Sequence, residues 1–104
     1  MDRKRGHLEI ARDLLEVARY GARPTALVYG ANLNFNVIKK YLQELLDSGL
    51  ISVDEIPYNG NTTRLFTTTE MGLAFMDSVS RTLDLYRGAP PEGTPPELIQ
   101  DVSR

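Results

Sequence analysis

A mainly α-helical domain carrying one small β-hairpin is the fold class that this 104-residue sequence predicts, and three patterns predict it. Three segments before Gly49 repeat their apolar residues at about the 3.6-residue helical period. An alternating stretch then leads through Asn59-Gly60 into a β-branched return segment, and a further helical stripe follows Thr69. The length suits a single small domain with one modest core.

Residues 8–20 set Leu8, Ile10, Ala11, Leu14, Leu15, Val17 and Ala18 on a broad apolar arc, with Glu9, Arg12, Asp13, Glu16 and Arg19 opposite. That division is the signature of a helix with one buried face. Gly21 supplies a left-handed stop and Pro24 suits the first turn of a second, short helix over 24–31. Gly30 and Asn32 end it, Leu33 turns into the core, and the Asn34 side chain is placed to cap a third helix that runs to Ser48. In that helix Ile38, Tyr41, Leu42 and Leu45 form the inward stripe, and Asn36, Lys39, Lys40 and Gln43 form the outward one.

Gly49 closes the third helix. In Leu50-Ile51-Ser52-Val53-Asp54-Glu55-Ile56, Ile51 and Val53 share one face, Ser52 and Asp54 the other, as in a half-buried strand. Asn59-Gly60 is a strong hairpin signal because both central residues of the favoured turn need positive φ. The return strand over 62–68 is rich in threonine and aromatic residues. A threonine at 68 or 69 then caps a last helix over 70–87, with Glu70 well placed in its first turn. Three helices followed by a hairpin is the order of a winged helix-turn-helix, here occupying residues 1–69.

On the last helix Met76, Val79, Leu83 and Tyr86 follow the spacing of a coiled-coil seam, with Asp77, Arg81 and Asp84 turned away. The expectation is a dimerisation helix; the alternative is that this stripe lies on the three-helix core, as Phe75 is expected to do. Leu73 and Leu85 on another side indicate apolar contacts in two directions. Residues 88–104 hold four of the six prolines and carry net negative charge, the composition of an extended tail.

Composition narrows the function. Hydrophobic residues make up 41% and charged residues 25% of the chain, so a soluble globular protein is expected. With no cysteine, disulfides, thiolate metal sites and cysteine nucleophiles are excluded, and a cytoplasmic setting is the expectation. No apolar run is long enough to cross a bilayer, so no membrane role is expected. His7, the single histidine, has no partner at metal-ligand spacing, and no nucleophile has an evident base, so neither enzyme activity nor a cofactor is expected. The net charge of −2 argues against coating DNA by bulk electrostatics. Residues 1–66 nevertheless hold nine Lys or Arg against eight Asp or Glu, whereas 67–104 hold three against six. A nucleic-acid face would therefore lie in the first two thirds.

The outward stripe of the third helix has the chemistry for that face. Lys39 and Lys40 can neutralise phosphates, and the amides of Asn36 and Gln43 can pair with adenine edges in a major groove. An ordinary solvated helix face is the plain alternative. Tyr58, near the hairpin tip, is a contact candidate because no core stripe claims it. Arg3, Lys4 and Arg5 are either a basic arm or a frayed terminus. A winged helix that binds another protein, without DNA, is the rival reading.

The chain resembles the small archaeal winged-helix DNA-binding proteins of the Sulfolobus ten-a chromatin type over residues 5–87. Carrying the resemblance are Leu8-Glu9-Ile10, the corner Tyr29-Gly30-Ala31-Asn32-Leu33-Asn34, Lys39-Lys40-Tyr41-Leu42 with Leu45-Leu46 and Gly49-Leu50-Ile51, and Thr69-Glu70-Met71-Gly72. The resemblance implies double-stranded DNA as partner, with Asn34, Asn36, Lys39, Lys40 and Gln43 at the duplex and Tyr58 and Arg64 on the wing. It also implies a homodimer formed by antiparallel pairing of the last helix. The chain departs from the family in its mild acidity and in Asp54 and Glu55 on the hairpin. These departures favour a site-specific transcription regulator over a compacting protein.

Overall fold

The structure, a computed structural model, describes residues 5–87; Arg3, Lys4 and the Pro-rich stretch 88–104 lie outside the described residues. The chain runs α1 (His7–Val17), α2 (Pro24–Ala31), α3 (Phe35–Asp47), β1 (Ile51–Tyr58), β2 (Asn61–Thr68) and α4 (Glu70–Tyr86). The order is that of a winged helix-turn-helix with an added C-terminal helix. None of the described helices is long and apolar enough to cross a membrane.

α1 ends at Val17, short of the expected residue 20, because the chain must turn there to reach the hairpin. Gly21 takes φ 103°, and Ala22 then exchanges two 2.8 Å backbone hydrogen bonds with Phe66 of β2. This bridge ties the α1–α2 turn to the wing. Asn32, at φ 57°, makes the left-handed end of α2, whereas Gly30 lies inside the helix. A Cβ at Gly30 would stand 2.8 Å from a Val17 methyl, so the glycine sets how closely α1 and α2 cross. The Asn34 carboxamide oxygen accepts the Val37 N–H at 2.9 Å and caps α3 as expected.

Asn59 and Gly60 take φ 51° and 79° between the paired residues Tyr58 and Asn61. The turn fixes the register down to Ile51 opposite Thr68, so Phe66 faces inward. Phe66, Leu14, Leu15, Leu27 and Ile38 are the largest fully buried side chains, and they join all three N-terminal helices to the hairpin in one core.

The Thr69 hydroxyl oxygen accepts the Gly72 N–H at 3.1 Å and donates its proton to the Gly49 carbonyl at 2.7 Å, which starts α4 against the end of α3. Gly72 explains the motif around it. A Cβ there would fall 2.1 Å from the Leu50 carbonyl oxygen, which already receives the Thr69 N–H. Because backbone rather than a flexible side chain stands in the way, Gly72→Ala is expected to lower unfolding stability by about 3 kcal/mol. Urea denaturation followed by circular dichroism measures this; a loss under about 1 kcal/mol would mean that the approach is not constrained.

α4 lies antiparallel on α1. Thr68, just before it, donates its side-chain hydroxyl to the Leu15 carbonyl at 2.6 Å, and Arg87 at its far end pairs with Glu9. This packing corrects the assignment of the α4 stripe. Met76 and Val79, placed by spacing on a self-association seam, are each only 5% exposed within the protomer, because the apolar face of α1 needs cover and α4 supplies it. Leu83 is half-buried and Tyr86 stays 87% exposed. A second apolar row remains open on α4, with Met71 60% and Leu85 61% exposed.

Candidate nucleic-acid interface

α3 turns Ile38, Leu42 and Leu45 into the core and leaves Asn36, Lys39, Lys40 and Gln43 exposed along its outer side. Tyr41 is half-buried and packs against the core, on the inward stripe. The outward residues are not equivalent. Gln43 donates an amide N–H to Asp47 one turn on at 2.9 Å, so the C-terminal end of this face carries an acid. The first two turns carry Asn36, Lys39 and Lys40, and there the net charge is positive. The N-terminal half of α3 is therefore the more positive part of this face. Asn34 lies at the same end with its carboxamide oxygen engaged in capping and its NH2 group still outward-capable.

The wing approaches this end of α3 from the side. Arg64 is exposed on β2, its guanidinium carbon 5.4 Å from the centre of the Phe66 ring. Glu55 stands opposite Arg64 in the ladder, yet among the described residues neither Arg64, Lys39 nor Lys40 has a carboxylate within 4.0 Å. Unpaired cations on one surface leave a field directed outward. Asp54 pairs across the ladder with Leu65, on the alternate face of the hairpin, so its charge is turned from Arg64.

Arg23 adds a cation that the sequence reading did not single out. Its guanidinium carbon lies 4.1 Å from the centre of the Tyr58 ring, a stacking distance that holds both side chains. The residue is the N-cap of α2, extended at φ −82° and ψ 165° before Pro24, as residues preceding proline are. That X-Pro step was the local signal; the aromatic partner comes from β1. His7 is the exposed first-turn residue expected of it, but its Nε2 lies 2.9 Å from Glu44 Oε1 and its ring centre 4.7 Å from that of Tyr41. The start of α1 is thereby fastened to the inner edge of α3. Away from this surface, a hydrogen bond from Arg19 holds the Glu16 carboxyl below its usual pKa. Among the described residues no cluster of three or more His, Cys, Asp or Glu is arranged to hold a metal.

Known proteins agree on the fold. Sso10a-2, a DNA-binding protein from Sulfolobus solfataricus, superposes with a TM-score of 0.72 at 23% identity, over 96% of this chain and 98% of that one. A PadR family transcriptional regulator from Eggerthella lenta gives 0.68 at 20% identity, over 74% of this chain and 73% of that one. Lactococcus lactis ZitR, in a structure with DNA, gives 0.58 at 17% identity, over 98% of this chain and 70% of that one. No curated protein sequence matches the chain significantly. The sequence profile of the winged helix-turn-helix family, however, matches residues 4–86, which is nearly all of the described structure. With its helices, its hairpin and that match in agreement, the chain belongs to the winged helix-turn-helix family.

Proposed function

We propose that this protein is a dimeric transcription regulator that reads the major groove of double-stranded DNA with α3 and grips the flanking backbone with the wing. The observation that carries the proposal is the outer surface of α3. Asn36, Lys39 and Lys40 stand exposed on its first two turns, Arg64 of the wing lines one cleft with Lys39, and among the described residues no carboxylate lies within 4.0 Å of the lysines or Arg64. In this reading Lys39, Lys40 and Arg64 bind phosphates, while Asn36 and Gln43 meet base edges. Gln43 must first exchange its Asp47 partner for a base, a swap of one hydrogen bond for another. Asn34 and Tyr58 border the duplex at the corner and on the wing.

A protein-binding role would favour apolar residues on this face. Among the described residues the most exposed aromatic and aliphatic side chains are Tyr20, Tyr29, Met71, Leu85 and Tyr86, all outside α3, on which Phe35 is the one large apolar side chain that is exposed. Second copies of the chain are the proposed occupants of the α4 row.

Fluorescence anisotropy with mixed and random duplexes tests the reading, and two substitutions separate its parts. Lys40→Ala is expected to weaken binding to every duplex alike, by the loss of one phosphate contact. Asn36→Ala is expected to reduce the preference among sequences by about 1–3 kcal/mol, the range for a bidentate base contact. If both variants lower specific and random binding by the same factor, Asn36 reads no base.

A further inference from the structure

Between α3 and the wing lies a cleft of about 130 Å³ whose apolar floor the DNA-binding reading does not use. Its floor is made by Ile38, Leu42 and Phe66, with Phe35 at one edge. Lys39 of α3 and Arg64 of β2 both line it, each leaning over an aromatic ring: Lys39 Nζ is 5.7 Å from the centre of Phe35, and the Arg64 guanidinium carbon 5.4 Å from that of Phe66. Apolar walls and two cations with no carboxylate within 4.0 Å among the described residues thus line one small space.

The volume selects the size of the occupant. Enclosed apolar cavities of roughly 150 Å³ accept a benzene ring; this cleft is of similar size and open on one side, so its floor has room for one ring. The rim selects the charge. A guanidinium binds a carboxylate through two parallel hydrogen bonds, and a lysine lining the same cleft adds a third donor. We infer that the cleft binds a single-ring aromatic carboxylate, its ring on Phe66, Ile38 and Leu42 and its carboxylate between Lys39 and Arg64. A bare inorganic anion would leave the floor wet, and a neutral ring would leave the cations unmatched.

The inference deepens the proposed function and rests on it in one respect: the two cations that hold the carboxylate are those assigned to DNA phosphates. Ligand and duplex would compete for them, so the bound acid would release DNA.

Titration of the full-length protein with benzoate, followed by calorimetry and by amide chemical shifts, tests the cleft without DNA. Saturable binding with a dissociation constant near or below about 1 mM is expected for so small a ligand, with shifts centred on Phe35, Lys39, Leu42 and Phe66. Benzamide and inorganic phosphate should each bind at least about tenfold more weakly, and Arg64→Gln and Lys39→Gln should each weaken benzoate by about tenfold. Both substitutions are at exposed positions, and circular dichroism verifies their fold. Equal binding of benzamide, equal binding of phosphate, or indifference to both substitutions overturns the site. The second measurement is duplex affinity at constant ionic strength. Benzoate at ten times its dissociation constant should weaken it about tenfold, and unchanged affinity with the cleft filled overturns the competition. Should the protein bind no duplex at any salt concentration, the DNA reading fails, while the benzoate titration still decides the cleft.

Discussion

Raising the salt concentration from about 50 to about 200 mM should weaken duplex binding by roughly a thousandfold. The expectation follows from counting cations. Lys39, Lys40 and Arg64 carry no ion-pair partner among the described residues, so each can displace a condensed counterion from DNA without first breaking an internal bond. Two protomers contribute about six phosphate contacts, and the logarithm of affinity then falls against the logarithm of salt with a slope near −5. A single protomer would give about half that slope and a loss nearer fortyfold over the same interval. The slope therefore counts protomers as well as cations. Binding that ignores salt, or its absence at the lower concentration, would remove α3 and the wing from any role at DNA. The overall charge of −2 is no obstacle. Screening over about 10 Å at such ionic strength makes the local surface decide, and much of the acidity lies after residue 66.

Local chemistry made most of the backbone legible. Asn34 announced the start of α3, and Thr68 or Thr69 that of α4, because a short side chain that accepts a backbone N–H is needed there; Asn34 and Thr69 each accept one. Asn59-Gly60 announced the hairpin because both residues had to take positive φ, and both do. Contacts between segments distant in sequence were hidden. The early end of α1 depends on Ala22 finding Phe66, the Arg23 stack depends on Tyr58, and the His7 bond depends on Glu44; no local pattern encodes any of them. The outward face of α3 was readable from its period alone, whereas the cation added by α2 and the cleft beneath Lys39 exist only once the wing has folded back.

The α4 stripe shows the limit most plainly. Periodicity states that Met76, Val79, Leu83 and Tyr86 share a side, but not whose surface covers them. Leu14 and Leu15 of α1 and its C-cap Ala18 are fully buried, and α4 packs against that helix. An intramolecular neighbour is present at far higher effective concentration than a second chain, so α1 claims Met76 and Val79 first.

Dimerisation is accordingly expected through what α4 has left. Met71 and Leu85 lie two heptads apart on one side, with the small residues Ala74 and Ser78 and then Arg81, paired with Asp77, between them and Tyr86 beside the far end. Small residues at the centre let two such helices approach closely, and the larger side chains at either end pair across a two-fold axis if the helices run antiparallel. Leu85→Glu places a charge on this row without touching the core. It should convert a dimer to a monomer in light scattering, leave the circular dichroism spectrum and urea midpoint nearly unchanged, and lower duplex affinity by about a hundredfold or more as linkage between half-sites is lost. Val79→Glu, by contrast, buries a carboxylate against α1 and should unfold the protein instead of dissociating it. The pair of variants separates assembly from folding: if Leu85→Glu unfolds the chain as Val79→Glu does, the row is part of the fold. Wild-type protein that is monomeric at tens of micromolar, a concentration at which an association worth about 6 to 7 kcal/mol would be populated, would leave α4 a brace for α1 alone and halve the expected salt slope.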